Sequence, residues 1–188
     1  MKNMYNSRIS LLVLARESLF VVLGVGLMAL MSQISIPLKP VPITFQTVGF
    51  LIIGLTYTPR QAFLSFGAYL FSGALGAPVF THFSSGPAVL MGPTAGYLAG
   101  FLVIGAAMAW VRQTWDLKRP FSLFLLCLVA QICLYSMGIS WLSISMPLET
   151  AFAVGVVPFI LPGIAKALIT AGILGYLKKP VSPGTHAD

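Results

Sequence analysis

The feature that most constrains this chain is how far it runs without a charge. Acidic and basic side chains are absent from residues 18–38, 40–59, 61–111, 120–148 and 150–165. A helix needs about 20 apolar residues to cross a bilayer, so the 61–111 tract must hold two and the count is five or six. Only 8% of the 188 residues are charged and 57% are hydrophobic, with a mean hydropathy of +0.93. Soluble domains carry about 25% charged residues, so this chain cannot coat a water-facing surface. The sequence predicts an all-α integral membrane protein.

The placement of the basic residues chooses between five and six. Lys2, Arg8 and Arg16 precede the first apolar tract. Arg60 lies between the second and third, Arg112, Lys118 and Arg119 between the fourth and fifth, and Lys178 and Lys179 follow the last. With six helices all of these fall on one side, while the opposite loops hold only Lys39. Basic loops face the cytoplasm, so six transmembrane helices with cytoplasmic N and C termini are expected. Five would scatter the charges over both faces. The expected organisation is a basic cytoplasmic leader over 1–17, a six-helix membrane domain over 18–178 and a cytoplasmic tail over 179–188. The tract from Ser18 to Leu38 is longer than a signal-peptide core and ends in Ile-Pro-Leu-Lys-Pro-Val-Pro rather than a small-residue cleavage site, so it reads as the first membrane helix.

This distribution sets aside nucleic acid as a partner, although the net charge is +7. An intramembrane enzyme is disfavoured too, because the spans hold no acidic residue and no His-Glu-x-x-His. Cys127 and Cys133 lie on different faces of one helix and show no metal spacing. Neither a cofactor nor a metal is expected.

One cation breaks the apolar pattern. Between Glu149 and Lys178 the only charged residue is Lys166, within Phe159-Ile160-Leu161-Pro162-Gly163-Ile164-Ala165-Lys166. An intramembrane charge costs roughly 2.5–3.5 kcal/mol on insertion scales and generally marks function. Pro162 suits a first helical turn, which predicts a helix from about Gly163 with Lys166 in its opening turn. Free N–H groups and an ammonium would then converge on one anion, such as a carboxylate.

Other polar groups map to the same, outer side. Gln46 opens the second helix, expected at about 43–58, and offers one acceptor and two donors. The third helix, about 61–77, leads to an uncharged loop, Thr81-His82-Phe83-Ser84-Ser85-Gly86-Pro87, whose hydroxyls include Ser84 and Ser85. Gly92-Pro93 starts the fourth helix, with Thr94 and Tyr97 on one face. The fifth helix, about 120–141, carries Gln131 and Tyr135, and residues 142–161 form a mixed outer segment. Pro37, Pro40 and Pro42 stiffen the first outer loop into a lid. Gln46, Ser84, Ser85, Thr94, Tyr97 and Lys166 could thus line one pocket for a small amphiphilic anion. Small residues on the first helix, Gly26 and Ala29 among them, would let another helix approach closely.

A family resemblance adds to this reading. Ile34-Ser35-Ile36-Pro37, Val41-Pro42-Ile43-Thr44-Phe45-Gln46-Thr47, Gly76-Ala77-Pro78-Val79-Phe80, Met91-Gly92-Pro93-Thr94-Ala95-Gly96-Tyr97 and Pro158 through Lys166 together resemble BioY. BioY is the biotin-binding S component of energy-coupling factor (ECF) transporters, and the likeness spans about residues 18–178. It implies a six-helix protein that captures biotin outside, with an ECF transmembrane coupling subunit and paired ABC-type ATPase subunits as partners. This chain has no Gly-x-x-x-x-Gly-Lys-Ser/Thr loop to hydrolyse ATP itself. By position, the resemblance makes Gln46 a partner of the ureido ring, Tyr97 part of the pocket wall and Lys166 the partner of the valerate carboxylate. Gly26 and Ala29 would fall on the docking helix. The family usually reads Leu-Pro-Gly-Asp shortly before the lysine; here Ile164 follows Gly163, so Lys166 has no acidic neighbour in sequence. The alternative is an S component or secondary transporter for a different small vitamin-like anion.

Overall fold

The structure, a computed structural model, describes residues 2–177, with side chains from Leu14 onward. Helix α1 (Lys2–Gln33) leads into a two-stranded antiparallel hairpin, β1 (Ser35–Ile36) and β2 (Ile43–Thr44), which pairs Ser35 with Thr44 and Ile36 with Ile43. Then follow α2 (Gln46–Thr56), α3 (Pro59–Ala74), α4 (Ala95–Thr114), α5 (Pro120–Leu142), the short α6 (Leu148–Gly155) and α7 (Ile160–Leu177). Single 3-10 turns lie at Thr81–Phe83, Val89–Met91 and Val157–Phe159.

Local chemistry fixes these boundaries. Helix α3 begins in a capping box, where Thr58 accepts from the Gln61 main chain and the Gln61 side chain accepts from Thr58 N. Pro59 takes the first helical position, where no N–H is needed. The Gln61 amide also donates to Glu17 of α1 at 2.9 Å, so this turn is pinned to the neighbouring helix. Pro120 begins α5 in the same way.

The core runs along the middle of the bundle. α4 packs against α2, α3 and α5; α1 lies on α2 and α3; α7 lies on α5 and α2. Phe50, Phe66 and Phe101 form a buried aromatic cluster with ring centroids 5.5–6.4 Å apart. Gly105 makes room for it, since a Cβ there would stand 2.2 Å from the Phe66 ring. The outside is apolar as well: Val22 and Leu30 of α1, Phe71 of α3, Ile132 of α5 and Ile169 of α7 are all exposed. An apolar interior inside an apolar exterior is what a lipid-embedded bundle presents.

Four stretches are long and apolar enough to cross a membrane: Leu14–Gln33, Ala95–Thr114, Pro120–Leu142 and Leu148–Leu177. Helices α2 and α3 have 11 and 16 residues. At 1.5 Å per residue α2 rises only about 16 Å, roughly half the apolar thickness of a bilayer.

Several boundaries differ from the sequence expectation. The first helix ends at Gln33 rather than Leu38, because Pro37 drives the residue before it to extended backbone and the chain turns into the hairpin. The second and third helices are shorter than expected at 43–58 and 61–77. The mixed segment after α5 contains a true helix, α6. Helix α7 starts at Ile160 rather than Gly163, with Pro162 still inside its first turn, where its missing N–H loses nothing. Lys166 therefore lies six residues past the start of α7, beyond its opening turn, and the expected meeting of helix N-terminus and ammonium does not form. The tail over 179–188, with Lys178 and Lys179, lies outside the described residues.

Candidate ligand-binding cavity

Chain direction alternates from α1 to α5, so the long connections 34–45, 75–94 and 143–159 share one end of the bundle. The short connections 57–58 and 115–119 share the other, together with the beginning of α1 and the end of α7. A cavity of about 430 Å³ opens at the first end, within the range of small-molecule sites. The shortness of α2 helps to make it: Gln46 and Thr47, at the helix's beginning, form part of the wall. Phe101 and Leu134 line it deeper in the bundle, and Pro40, Val41, Pro42 and His82 line it from the loops.

Gln46 is 7% exposed and held on both sides. The Thr44 hydroxyl donates to its carbonyl at 3.1 Å, and its amide donates to the Tyr69 hydroxyl at 2.6 Å. Tyr69 in turn donates to the Val79 carbonyl at 3.2 Å. Gln46 is both a helix-packing group and a cavity group, with one donor and one acceptor position left.

Another part of the lining is aromatic. Tyr97, Tyr135 and Phe159 all line the cavity, with Phe159 5.9 Å from Tyr135 and 6.3 Å from Tyr97, ring centre to ring centre. The Tyr97 hydroxyl donates to the Gly155 carbonyl at 2.7 Å, tying α4 to the end of α6. Its ring lies flush on α5 because residue 138 is glycine; a Cβ there would stand 2.1 Å from Tyr97. Tyr135 donates to the Gln131 carbonyl at 3.1 Å, and the Gln131 amide donates to the Gly163 carbonyl at 3.2 Å. The turn that carries Pro162 is thereby fixed to α5.

Of the residues singled out in the sequence, Gln46, Ser84, Thr94 and Tyr97 line this one cavity. Ser85 is exposed and is not part of the lining. Lys166 is also outside the lining, yet its ammonium donates to the main-chain carbonyl of Thr44 at 2.6 Å and lies 5.6 Å from the centre of the Phe45 ring. Thr44 itself lines the cavity, so the cation stands directly behind the wall, beside the residue that donates to Gln46. The only ion pair among the described residues joins Lys118 and Asp116, which leaves Lys166 without a carboxylate partner there. Gly26 is exposed with open space where a side chain would be, whereas Ala29 is partly buried and packs on the core. Thr44, Tyr135 and Phe159 went unassigned as site residues in the sequence. A threonine beside Gln46 was a usable signal; aromatic residues in so apolar a chain were not.

The comparisons with known proteins agree with one another. The family model described as the BioY family matches residues 2–183. A probable biotin transporter BioY of Rickettsia prowazekii is 37% identical over 84% of this chain and 81% of its own length. One of Pyrococcus horikoshii is 37% identical over 81% of this chain and 90% of its own length. A solved structure described as the S-component for biotin from an ECF-type ABC transporter superposes with a TM-score of 0.80 at 25% identity, covering 88% of this chain and 92% of that one.

Proposed function

Because this chain belongs to the BioY family, we propose that it captures biotin at the outer face of the cell membrane as the substrate-specific S component of an ECF-type transporter. Its partners are then a transmembrane coupling subunit and ABC-type ATPase subunits, and it is not itself an enzyme. In this reading six segments span the membrane (α1 from about Leu14, α2, α3, α4, α5 and α7), and α6 lies across the outer end. Arg16, Arg60, Arg112, Lys118 and Arg119 belong to the end away from the cavity, and Lys39 directly precedes Pro40, which lines it. The positive-inside bias then puts both termini in the cytoplasm and the cavity outside.

The observation that carries the reading is the cavity itself: an oriented amide on one wall, three aromatic rings on another and a cation one residue behind. Biotin has matching parts. Gln46 meets the ureido ring, Tyr97, Tyr135 and Phe159 flank the fused rings, and Ser84 and Thr94 complete the polar rim. Lys166 receives the valerate carboxylate. Its ammonium has three N–H groups, of which the Thr44 carbonyl occupies one. The coupling helix docks on the face of α1 that carries Gly26 and the partly buried Ala29, a reading that the open space at Gly26 supports.

The test is ligand response in purified protein. Chain produced with biotin in the medium should co-purify with it. Stripped protein should gain thermal stability from biotin and not from thiamine or riboflavin, since a ligand at 100 times its Kd adds about 2.7 kcal/mol. A response to either of the other vitamins without one to biotin would overturn the assignment.

A further inference from the structure

We propose that Tyr69, which is not part of the cavity lining, is a positioning residue that fixes which way the Gln46 amide faces and so tunes the cavity to a cyclic urea. This rests on the biotin reading above. The Val79 carbonyl only accepts, so its contact with Tyr69 at 3.2 Å uses the phenolic hydrogen. The Tyr69 oxygen is left to accept, and the group 2.6 Å away on Gln46 must donate. Turning the amide over would set two acceptor oxygens against each other at that distance. The Ser32 hydroxyl of α1 lies 2.7 Å from the same Val79 carbonyl and shares its one hydrogen with the Ala29 carbonyl at the same distance.

Tyr69 has little freedom of its own. It is fully buried, and the Phe80 ring stands edge-on to it at 5.4 Å and 89°. On the other side the Thr44 hydroxyl donates to the Gln46 carbonyl at 3.1 Å. What Gln46 retains is one N–H and one lone pair, in a fixed sense. A cyclic urea carries both complements, an acceptor carbonyl beside donor N–H groups. A ligand whose ring edge offers only donors leaves one of these unmet, and sites built on buried hydrogen bonds discriminate strongly against such analogues.

The probe pair is biotin and 2-iminobiotin, whose guanidinium edge at neutral pH presents only N–H donors. Binding of both is measured by calorimetry on the full chain in detergent. Tyr69→Phe keeps the ring and removes the oxygen, which frees the Gln46 amide to turn. The expected result is a biotin-to-2-iminobiotin affinity ratio that falls about ten-fold from wild type, because one oriented hydrogen bond is lost for biotin and its reversal is gained for the analogue. The Thr44 hydroxyl can accept as well as donate, so Thr44→Val leaves the sense of the amide to Tyr69 and should keep the ratio near its wild-type value; a ten-fold fall there would take the positioning role away from Tyr69, and this variant decides the matter if Tyr69→Phe does not fold. Equal weakening of both ligands by Tyr69→Phe, or no change in either, would overturn the positioning role while leaving the biotin reading intact. Wild-type protein that binds neither ligand would overturn both.

Discussion

The ammonium of Lys166 and the main-chain oxygen of Thr44 lie 2.6 Å apart, although 122 residues separate them in sequence. This contact joins α7 to the strand that precedes α2. It puts the cation of the Leu148–Leu177 stretch next to the residue whose hydroxyl donates to Gln46. A carbonyl oxygen satisfies an ammonium only in part, and the proposed carboxylate contact draws on the N–H groups that remain.

Lys166→Ala should therefore weaken biotin by at least ten-fold, since a hydrogen bond to a charged group contributes about 1.5–3 kcal/mol. The sharper comparison uses biotinamide, which lacks the charge. Wild type should prefer biotin over the amide, and the substituted protein should bind the two about equally. A preference that survives the substitution would place the carboxylate elsewhere.

Gly138→Ala should damage the cavity through packing. The added methyl would fall 2.1 Å from the Tyr97 ring, and overfilling a tight contact typically costs about 1–3 kcal/mol. Thermal unfolding should show a lowered midpoint together with weaker biotin binding. Gly172→Ala is the control, because nothing lies within 4 Å of the added carbon; its midpoint should hold or rise, alanine being the better helix former by about 1 kcal/mol.

Tyr97→Phe should loosen α6 without emptying the aromatic wall. It removes the 2.7 Å bond to the Gly155 carbonyl and leaves that buried acceptor unmet, a loss of about 1–3 kcal/mol. Amide hydrogen exchange should then quicken over 148–159 more than over α4. Uniform protection across both segments would show that the hydroxyl does not secure α6.

Orientation can be read directly by labelling. With Cys127 and Cys133 replaced, a membrane-impermeant thiol reagent added to intact cells should modify Lys39→Cys and spare Lys118→Cys. The reverse pattern would put the cavity in the cytoplasm and end the uptake reading.

Much of the site was legible in the sequence because polarity stands out in so apolar a chain. Gln46, Thr94 and Lys166 interrupt long hydrophobic runs, and an interruption that costs free energy implies a purpose. Tyr69 gave no such signal: one tyrosine among many aromatics says nothing about which carbonyl it meets. The expected start of α7 at Gly163 falls three residues late for a related reason, since proline is tolerated anywhere in a first turn and does not say which of its positions it occupies. The ends of α1 and α2 depended on a hairpin of two-residue strands, too short for any alternating pattern to reveal.

Helix α1 is clasped twice. Near its middle Glu17 accepts from Gln61, and at its end Ser32 and Gln33 donate to the carbonyls of Val79 and Phe80 while Gln33 accepts from Phe83 N. The two grips are about 24 Å apart along an unbroken rod. A rod held in this way cannot tilt at one grip without shifting the other. Displacing the turn that carries Arg60 would therefore move the far end of α1 against the loop that carries Val79 and Phe80.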